Sequence, residues 1–288
     1  LKAIVFGGSG FLGSHVVDEL LKRGYETTIF DKAPSQYLKE GQRMIIGDIL
    51  DIDKVKKAVK GCDYVYNFAG IADMDDAGKK PLETVNLNIL GNVNILDTSV
   101  DAKAKRFIYA SSIYVYSQKG GFYRCSKQAS ETYIEEYNRC YGLEYTILRY
   151  GSIYGPRADD RNSIHRYLSQ ALKKKCIKCS NPEEIREYIH VRDASKLSVD
   201  ILDEKFTNRH IILSGNYRMK VKEMMLTIKE IMNNKIGIEF IDSGRGRDHY
   251  TYTPYSYTPK IGDKLLSDCH VDIGQGLLEC LEEIDNSK

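Results

Sequence analysis

Ser112, Tyr123 and Lys127 are the residues of this chain whose types and spacing suit proton transfer. Tyr123 and Lys127 stand four apart near the start of a predicted helix, so their side chains share one face. An ammonium beside a phenol favours the phenolate, and a phenol whose pKa is lowered in this way serves as a general base near neutral pH. Ser112 closes the preceding predicted strand, where its hydroxyl can bond the same substrate oxygen. Next to a hydride acceptor, such a trio interconverts an alcohol and a ketone. The spacing alone is not distinctive. The chain has 21 tyrosines, and pairs such as Tyr141/Tyr145 arise freely. The surrounding elements decide.

The element that would supply the hydride acceptor lies at the start. A short apolar run, 2–6, leads into Gly7-Gly8-Ser9-Gly10-Phe11-Leu12-Gly13 and then into a helical pattern with Val16, Val17, Leu20 and Leu21 on one side. A glycine turn between strand and helix lets the backbone approach a pyrophosphate, which then sits on the free N–H groups of the helix N-terminus. The glycines fit both G-x-x-G-x-x-G (Gly7, Gly10, Gly13) and G-x-G-x-x-G (Gly8, Gly10, Gly13), and the sequence leaves both open. The next strand ends in Asp31, 18 residues past Gly13, where an acid meets the adenosine ribose hydroxyls. Asp31 favours NAD, because a carboxylate repels a 2′-phosphate. Lys32 and Lys39 lie near enough to weaken that preference.

Strands are predicted at 2–6, 26–30, 42–46, 63–68, 105–111 and 144–149, with helices at 12–23, 52–59, 81–101 and 121–141. The alternation predicts an α/β, Rossmann-type doubly wound parallel sheet with right-handed crossovers. Ligands on such sheets bind beyond the carboxyl ends of the strands. This singles out Gly47-Asp48-Ile49, Asn67-Phe68-Ala69-Gly70 and Ser111-Ser112. After Arg149 the rhythm breaks into a Gly-, Pro- and Tyr-rich loop at 150–161. Helices near 162–174, 193–203 and 219–233 and strands near 186–191 and 209–213 follow. The predicted division is a dinucleotide-binding domain over 1–150, to which 186–214 returns, and a smaller C-terminal substrate-binding domain over 151–185 and 215–288. The alternating tyrosines of 250–260 read as a surface-hugging loop.

A net charge of +2 implies no polyanionic partner, and no aromatic–arginine motif for nucleic acid is present. No apolar stretch approaches a membrane span and no leader is read, so the expected location is the cytoplasm. The seven cysteines are scattered, as expected of reduced thiols. Cys176-x-x-Cys179 has no second pair, and none of the six histidines makes an H-x-x-x-H pair, so no metal site is expected.

With these pieces in place, the chain resembles the extended short-chain dehydrogenase/reductase family, in its nucleotide-sugar epimerase/dehydratase branch. The resemblance rests on the glycine turn, Gly47-Asp48-Ile49, Asn67–Gly70, Asn86 with Gly91-Asn92-Val93-Asn94-Ile95-Leu96, and Ala110–Tyr116. It continues through Leu148-Arg149-Tyr150, Ile153–Arg157, Arg186–Asp193 and Arg245–Asp248. It spans nearly the whole chain and aligns Ser112, rather than Ser111, with the catalytic hydroxyl. It implies Ser112, Tyr123 and Lys127 as catalytic residues. It implies NAD held by Gly7, Gly10, Phe11, Leu12, Gly13, Asp31, Lys32, Asp48, Ile49, Phe68, Ala69, Gly70, Asn86, Ser111 and Tyr150, with Tyr123 and Lys127 also at the cofactor. Ser112, Ser152, Arg186 and Arg245 are implied on the substrate, with the two arginines at a sugar-nucleotide diphosphate. A homodimer is implied through a four-helix bundle of 81–101 and 121–141, with Tyr133, Ile134, Tyr137 and Tyr141 as its apolar seam.

The implied activity is epimerisation of a nucleotide-linked sugar. A 4-keto nucleotide-sugar reductase uses the same trio, and a non-catalytic dinucleotide-sensing protein could share the fold. Three departures bear on the choice. Ser152 stands where relatives often have asparagine. Only ten residues separate Ser112 from Tyr123, in a clipped, basic loop. The acid that dehydratases carry just after the active-site strand is replaced by Ile113-Tyr114.

Overall fold

The structure is a computed structural model in which residues 1–215 and 218–241 are described. They belong to one compact unit, Leu1–Ser256. Its centre is a seven-stranded sheet in the order β10-β6-β5-β4-β1-β2-β3. The strands are β1 (Lys2–Phe6), β2 (Glu26–Asp31), β3 (Gln42–Ile46), β4 (Tyr64–Asn67), β5 (Arg106–Ser112), β6 (Tyr145–Tyr150) and β10 (Arg209–Leu213). Every pairing in it is parallel. The fold is therefore the predicted Rossmann-type α/β sheet, with an additional C-terminal region of helices and short strands.

Alternation along the strands builds a core on each face. Ile4 and Phe6 of β1 face one way, with Phe30, Val65, Phe107 and Ile147, under α2 (Ile52–Val59), α5 (Gly91–Asp101) and α6 (Gly121–Tyr141). Ala3 and Val5 face the other way, with Val16, Val17 and Leu20 of α1 (Phe11–Lys22) and Ala194 and Val199 of α8 (Val191–Asp200). Each fully buried large side chain here contributes about 1.5–3 kcal/mol.

The predicted helix 81–101 is interrupted. A short α3 (Met74–Lys79) precedes α4 (Pro81–Thr84), a π-turn (Val85–Leu90) follows, and α5 then runs from Gly91. Beyond β6 lie β7 (Ser152–Tyr154), α7 (Ser163–Lys174), β8 (Cys176–Cys179), β9 (Ile185–His190), β11 (Arg218–Lys220), α9 (Val221–Ile231) and β12 (Gly237–Phe240). Strands β11, β9 and β7 form one small sheet, and β12 and β8 another. Among the described residues no helix is long and apolar enough to cross a membrane, and no cluster could hold a metal ion. Cys179 is buried in the small core formed with Ile177 and Met225.

Candidate active site

β1 is flanked by β2 on one side and β4 on the other, so the crevice opens where the chain turns after β1 and after β4. Gly7, at φ +77°, lies against the second turn, and a Cβ there would stand 2.7 Å from Ala69 N. A Cβ on Gly13 would stand 2.2 Å from Gly7 O, so α1 seats directly on the glycine turn. Gly10 caps α1 without a side-chain bond, and the nearest atom to an added Cβ is Gly7 O at 3.3 Å. The first amides of α1, Phe11 and Leu12 among them, thus end in a backbone-walled cradle with no acidic side chain in the first turn. Bare amides at a helix N-terminus fit a pyrophosphate. Both glycine spacings are constrained by packing, because Gly8 is also pressed, against Val5 O at 2.9 Å.

Asp31 closes β2 and accepts the Ser9 amide at 3.0 Å, which holds it beside the turn. The two neighbouring lysines are both paired with acids. Lys32 meets Asp48 at 3.2 Å and Lys39 meets Asp18 at 2.8 Å. The cradle therefore fits a dinucleotide with a free 2′-hydroxyl better than one with a 2′-phosphate.

Asp48 also accepts the Leu50 amide, while Ile49 is buried and fills the space left by Gly91. The Phe68–Gly70 loop is pinned by two buried asparagines. Asn67 accepts the Ala69 amide at 3.0 Å. Asn88 accepts the Ile71 amide at 2.7 Å and donates to the Ile71 carbonyl at 3.0 Å. Gly70, at φ +136°, leaves room for the Asn88 amide oxygen, which a Cβ would meet at 2.4 Å. Asn88 further donates to Ser126 Oγ, which donates to the Tyr123 carbonyl, both at 2.8 Å. Asn86, two residues back on the same turn and so facing another way, is half-buried, whereas Asn88 is buried. Tyr150 serves the core: it is buried, and its hydroxyl shares a hydrogen bond of 2.6 Å with Ser198.

Ser112, Tyr123 and Lys127 converge. Ser112 ends β5 and accepts the Tyr114 amide as the cap of a 3-10 turn (Ile113–Tyr116). α6 starts at Gly121 and brings Tyr123 back beside Ser112. Lys127, one turn on, is buried, donates to the Ala110 carbonyl at 2.7 Å, and lies 5.7 Å from the Tyr123 ring centroid. The electrostatics differ from expectation. Tyr123 is half-buried. Desolvation pushes its phenol up to about 12, although Ser112 opposes it. Burial pulls Lys127 down to about 8. Burial dominates at Tyr123, which stands as a proton donor at neutral pH until further positive charge enters the site.

Arg186 of β9, the expected diphosphate contact, donates to the Tyr114 hydroxyl at 2.9 Å and pairs with Glu184 at 2.7 Å. Burial raises the Glu184 carboxyl to about 7 against the pull of Arg186. Tyr114 follows Ser112 by two residues, so the arginine reaches the rim that carries the trio. Ile113 and Tyr114 are buried against Met74 and Tyr123. Ser152 lies on β7, paired in register with Tyr188. Arg245 and the 250–260 stretch lie outside the described residues. Of the expected dimer seam, Ile134 is buried against the sheet instead, and the Tyr137 hydroxyl bonds Asp97. Tyr133 and Tyr141 are exposed. Sequence reasoning missed Asn88, Tyr114 and the Glu131–Arg149 pair described below.

Several known proteins are similar. The chain is 28% identical over 248 residues to a putative UDP-glucose 4-epimerase of Methanocaldococcus jannaschii, covering 78% of this chain and 81% of that one. It is also 28% identical over 320 residues, 99% of each, to a UDP-N-acetyl-alpha-D-glucosaminuronate decarboxylase of Bacillus cytotoxicus. The structure of UDP-glucose 4-epimerase from Thermotoga maritima with UDP-glucose matches with a TM-score of 0.80 at 25% identity, covering 90% of both chains. Solved structures of the same fold hold NAD. The NAD dependent epimerase/dehydratase family model matches residues 3–214, and the chain belongs to that family.

Proposed function

We propose that this protein is an NAD-dependent epimerase of a nucleotide-linked hexose, acting by transient oxidation of a sugar hydroxyl. The observation that carries the reading is the approach of Tyr123 to Ser112 beside buried Lys127, on the strand rim that also holds the glycine cradle. Within this reading, 1–150 and 186–214 hold the cofactor, and 151–185 and 215–288 hold the sugar nucleotide, as a homodimer in the cytoplasm.

Gly7, Gly10, Phe11, Leu12 and Gly13 hold the pyrophosphate, and Asp31 takes the ribose hydroxyls. NAD, when bound, supplies a hydride acceptor with a positively charged ring. Ser112 orients the sugar hydroxyl toward Tyr123 Oη. Tyr123 takes the hydroxyl proton and later returns it to the same oxygen. Lys127 supplies positive charge near the phenol and anchors the nicotinamide ribose. Arg186, together with Arg245, grips the diphosphate. Ile113 and Tyr114 put no acid at the position from which elimination would be driven, which favours epimerisation over dehydration.

The test is incubation of the purified protein with UDP- and GDP-hexoses, its bound cofactor identified by mass. Interconversion without net consumption of cofactor supports the reading. Stoichiometric oxidation of added NADH or NADPH by a 4-keto sugar nucleotide instead identifies a reductase. A second reading, decarboxylation of a UDP-uronate, is favoured by the full-length likeness to the Bacillus cytotoxicus enzyme. Release of carbon dioxide from such a substrate would select it.

A further inference from the structure

Beneath the trio lies a buried polar hub that the reaction as described does not use. Glu131 is 6% exposed and sits one helical turn beyond Lys127 on α6. Its carboxylate accepts Ser111 Oγ at 2.5 Å, and from Arg149 it accepts Nε at 3.1 Å and Nη2 at 2.5 Å. Ser111 and Arg149 are register partners on β5 and β6. Arg149 reaches on to donate to the Tyr116 hydroxyl at 2.5 Å, and its guanidinium stacks 4.6 Å from the Tyr116 ring centroid. Tyr116 closes the 3-10 turn that starts from Ser112. One carboxylate thus ties together α6, which bears Tyr123 and Lys127, β5, which bears Ser112, β6, and the turn that follows Ser112.

We propose that Glu131 is a positioning residue: it locks α6 to the ends of β5 and β6 and acts as the counter-charge that keeps Lys127 an ammonium beside Tyr123. The proposal deepens the reading of the trio as the proton-transfer site and rests on it. The groups facing Lys127 are few. Tyr123 and Glu131 come from its own helix, and the Tyr109 ring, 4.7 Å from Nζ, and the Ala110 carbonyl come from β5. Of these, only Glu131 brings a negative charge that opposes desolvation of the ammonium. Arg149, from β6, meets the carboxylate on another side and fixes where that charge stands. A lysine held near 8 rather than lower stays charged at neutral pH.

The experiment is a pH titration of the protein labelled at lysine Cε and Nζ, followed by NMR. Lys127 is assigned through Lys127→Met. Glu131→Gln keeps the shape and removes the charge. The expected result is a downward shift of the Lys127 midpoint, the direction in which loss of an opposite charge moves an ammonium. The matching limb of the kcat profile should move with it, and KM should change little. A Lys127 midpoint unchanged in Glu131→Gln overturns the proposal, whatever happens to activity. Should Glu131→Gln fail to fold, Glu131→Asp withdraws the charge by one methylene. A smaller downward shift then supports the proposal, and an unmoved midpoint overturns it. The titration needs no substrate. A shifted midpoint in a protein that turns over no nucleotide sugar would leave the hub standing and sink only the proposed reaction.

Discussion

The two ends of the site are built from opposite materials. The proposed cofactor end is backbone: glycines, helix amides and one carboxylate, with the nearby lysines paired off at 3.2 and 2.8 Å. The proton-transfer end is side chain: a phenol, a hydroxyl and an ammonium, held by asparagine, serine and a buried ion pair. The first excludes atoms and the second tunes charge. They should therefore fail differently when altered.

The largest expected effect is at the side-chain end. Tyr123→Phe removes the proton carrier and should lower kcat by about 10²–10⁴-fold, while cofactor bound per chain, read by mass, stays as in the wild type. Loss of cofactor in this variant would break the division between the two ends.

Next comes the charge on Lys127. Burial lowers its pKa from 10.5 to about 8, so between those values the unfolded chain binds more protons than the folded one. Folding stability from this group therefore rises with pH across that window and is lowest below pH 8. Denaturant unfolding at pH 7.5 and 10.5 should show the wild type gaining on the order of a few kcal/mol relative to Lys127→Met. No relative gain would mean that the ammonium is not desolvated.

At the backbone end, Gly13→Ala places a methyl 2.2 Å from Gly7 O. Overpacking of this kind costs about 1–3 kcal/mol. The expected outcome is a lowered Tm and lost cofactor, with no change in the Lys127 midpoint. The smallest effect is expected for Asp31→Asn, which removes the charge that repels a 2′-phosphate. Binding of NADP relative to NAD should rise, measured by titration, with kcat on NAD nearly unchanged.

The same contrast explains what was legible in the sequence. The glycine turn, the six strands before Arg149 and α6 are local features, set by apolar runs and turn residues, and they fall where predicted within a residue or two. Strands β7, β8, β11 and β12 are three or four residues long, and their partners are remote in sequence. Ser152 pairs with Tyr188, and Cys176 with Gly237. No local pattern announces such strands, and Cys176-x-x-Cys179 drew notice as a motif rather than as a strand. The trio stood out in the sequence because its members sit at element ends. What burial does to their charges could not be read from spacing, so the phenol was expected to go down and instead goes up. Asn88 was missed for a third reason: no residue pattern announces the π-turn that carries it.

That π-turn has a consequence for how the chain tolerates length changes. Its hydrogen-bonded ring holds one more residue than a regular helical turn. Deleting a single residue between Val85 and Leu90 would restore a smooth helix and look harmless by secondary structure. It would also swing one flank of the helix by roughly 100° relative to the other. Asn88 could then no longer reach Ile71 while Ile95 and Leu96 kept their seats in the core. The irregular turn is the phase-setter between the cofactor loop and α5, and its residue count is as constrained as any side chain in the site.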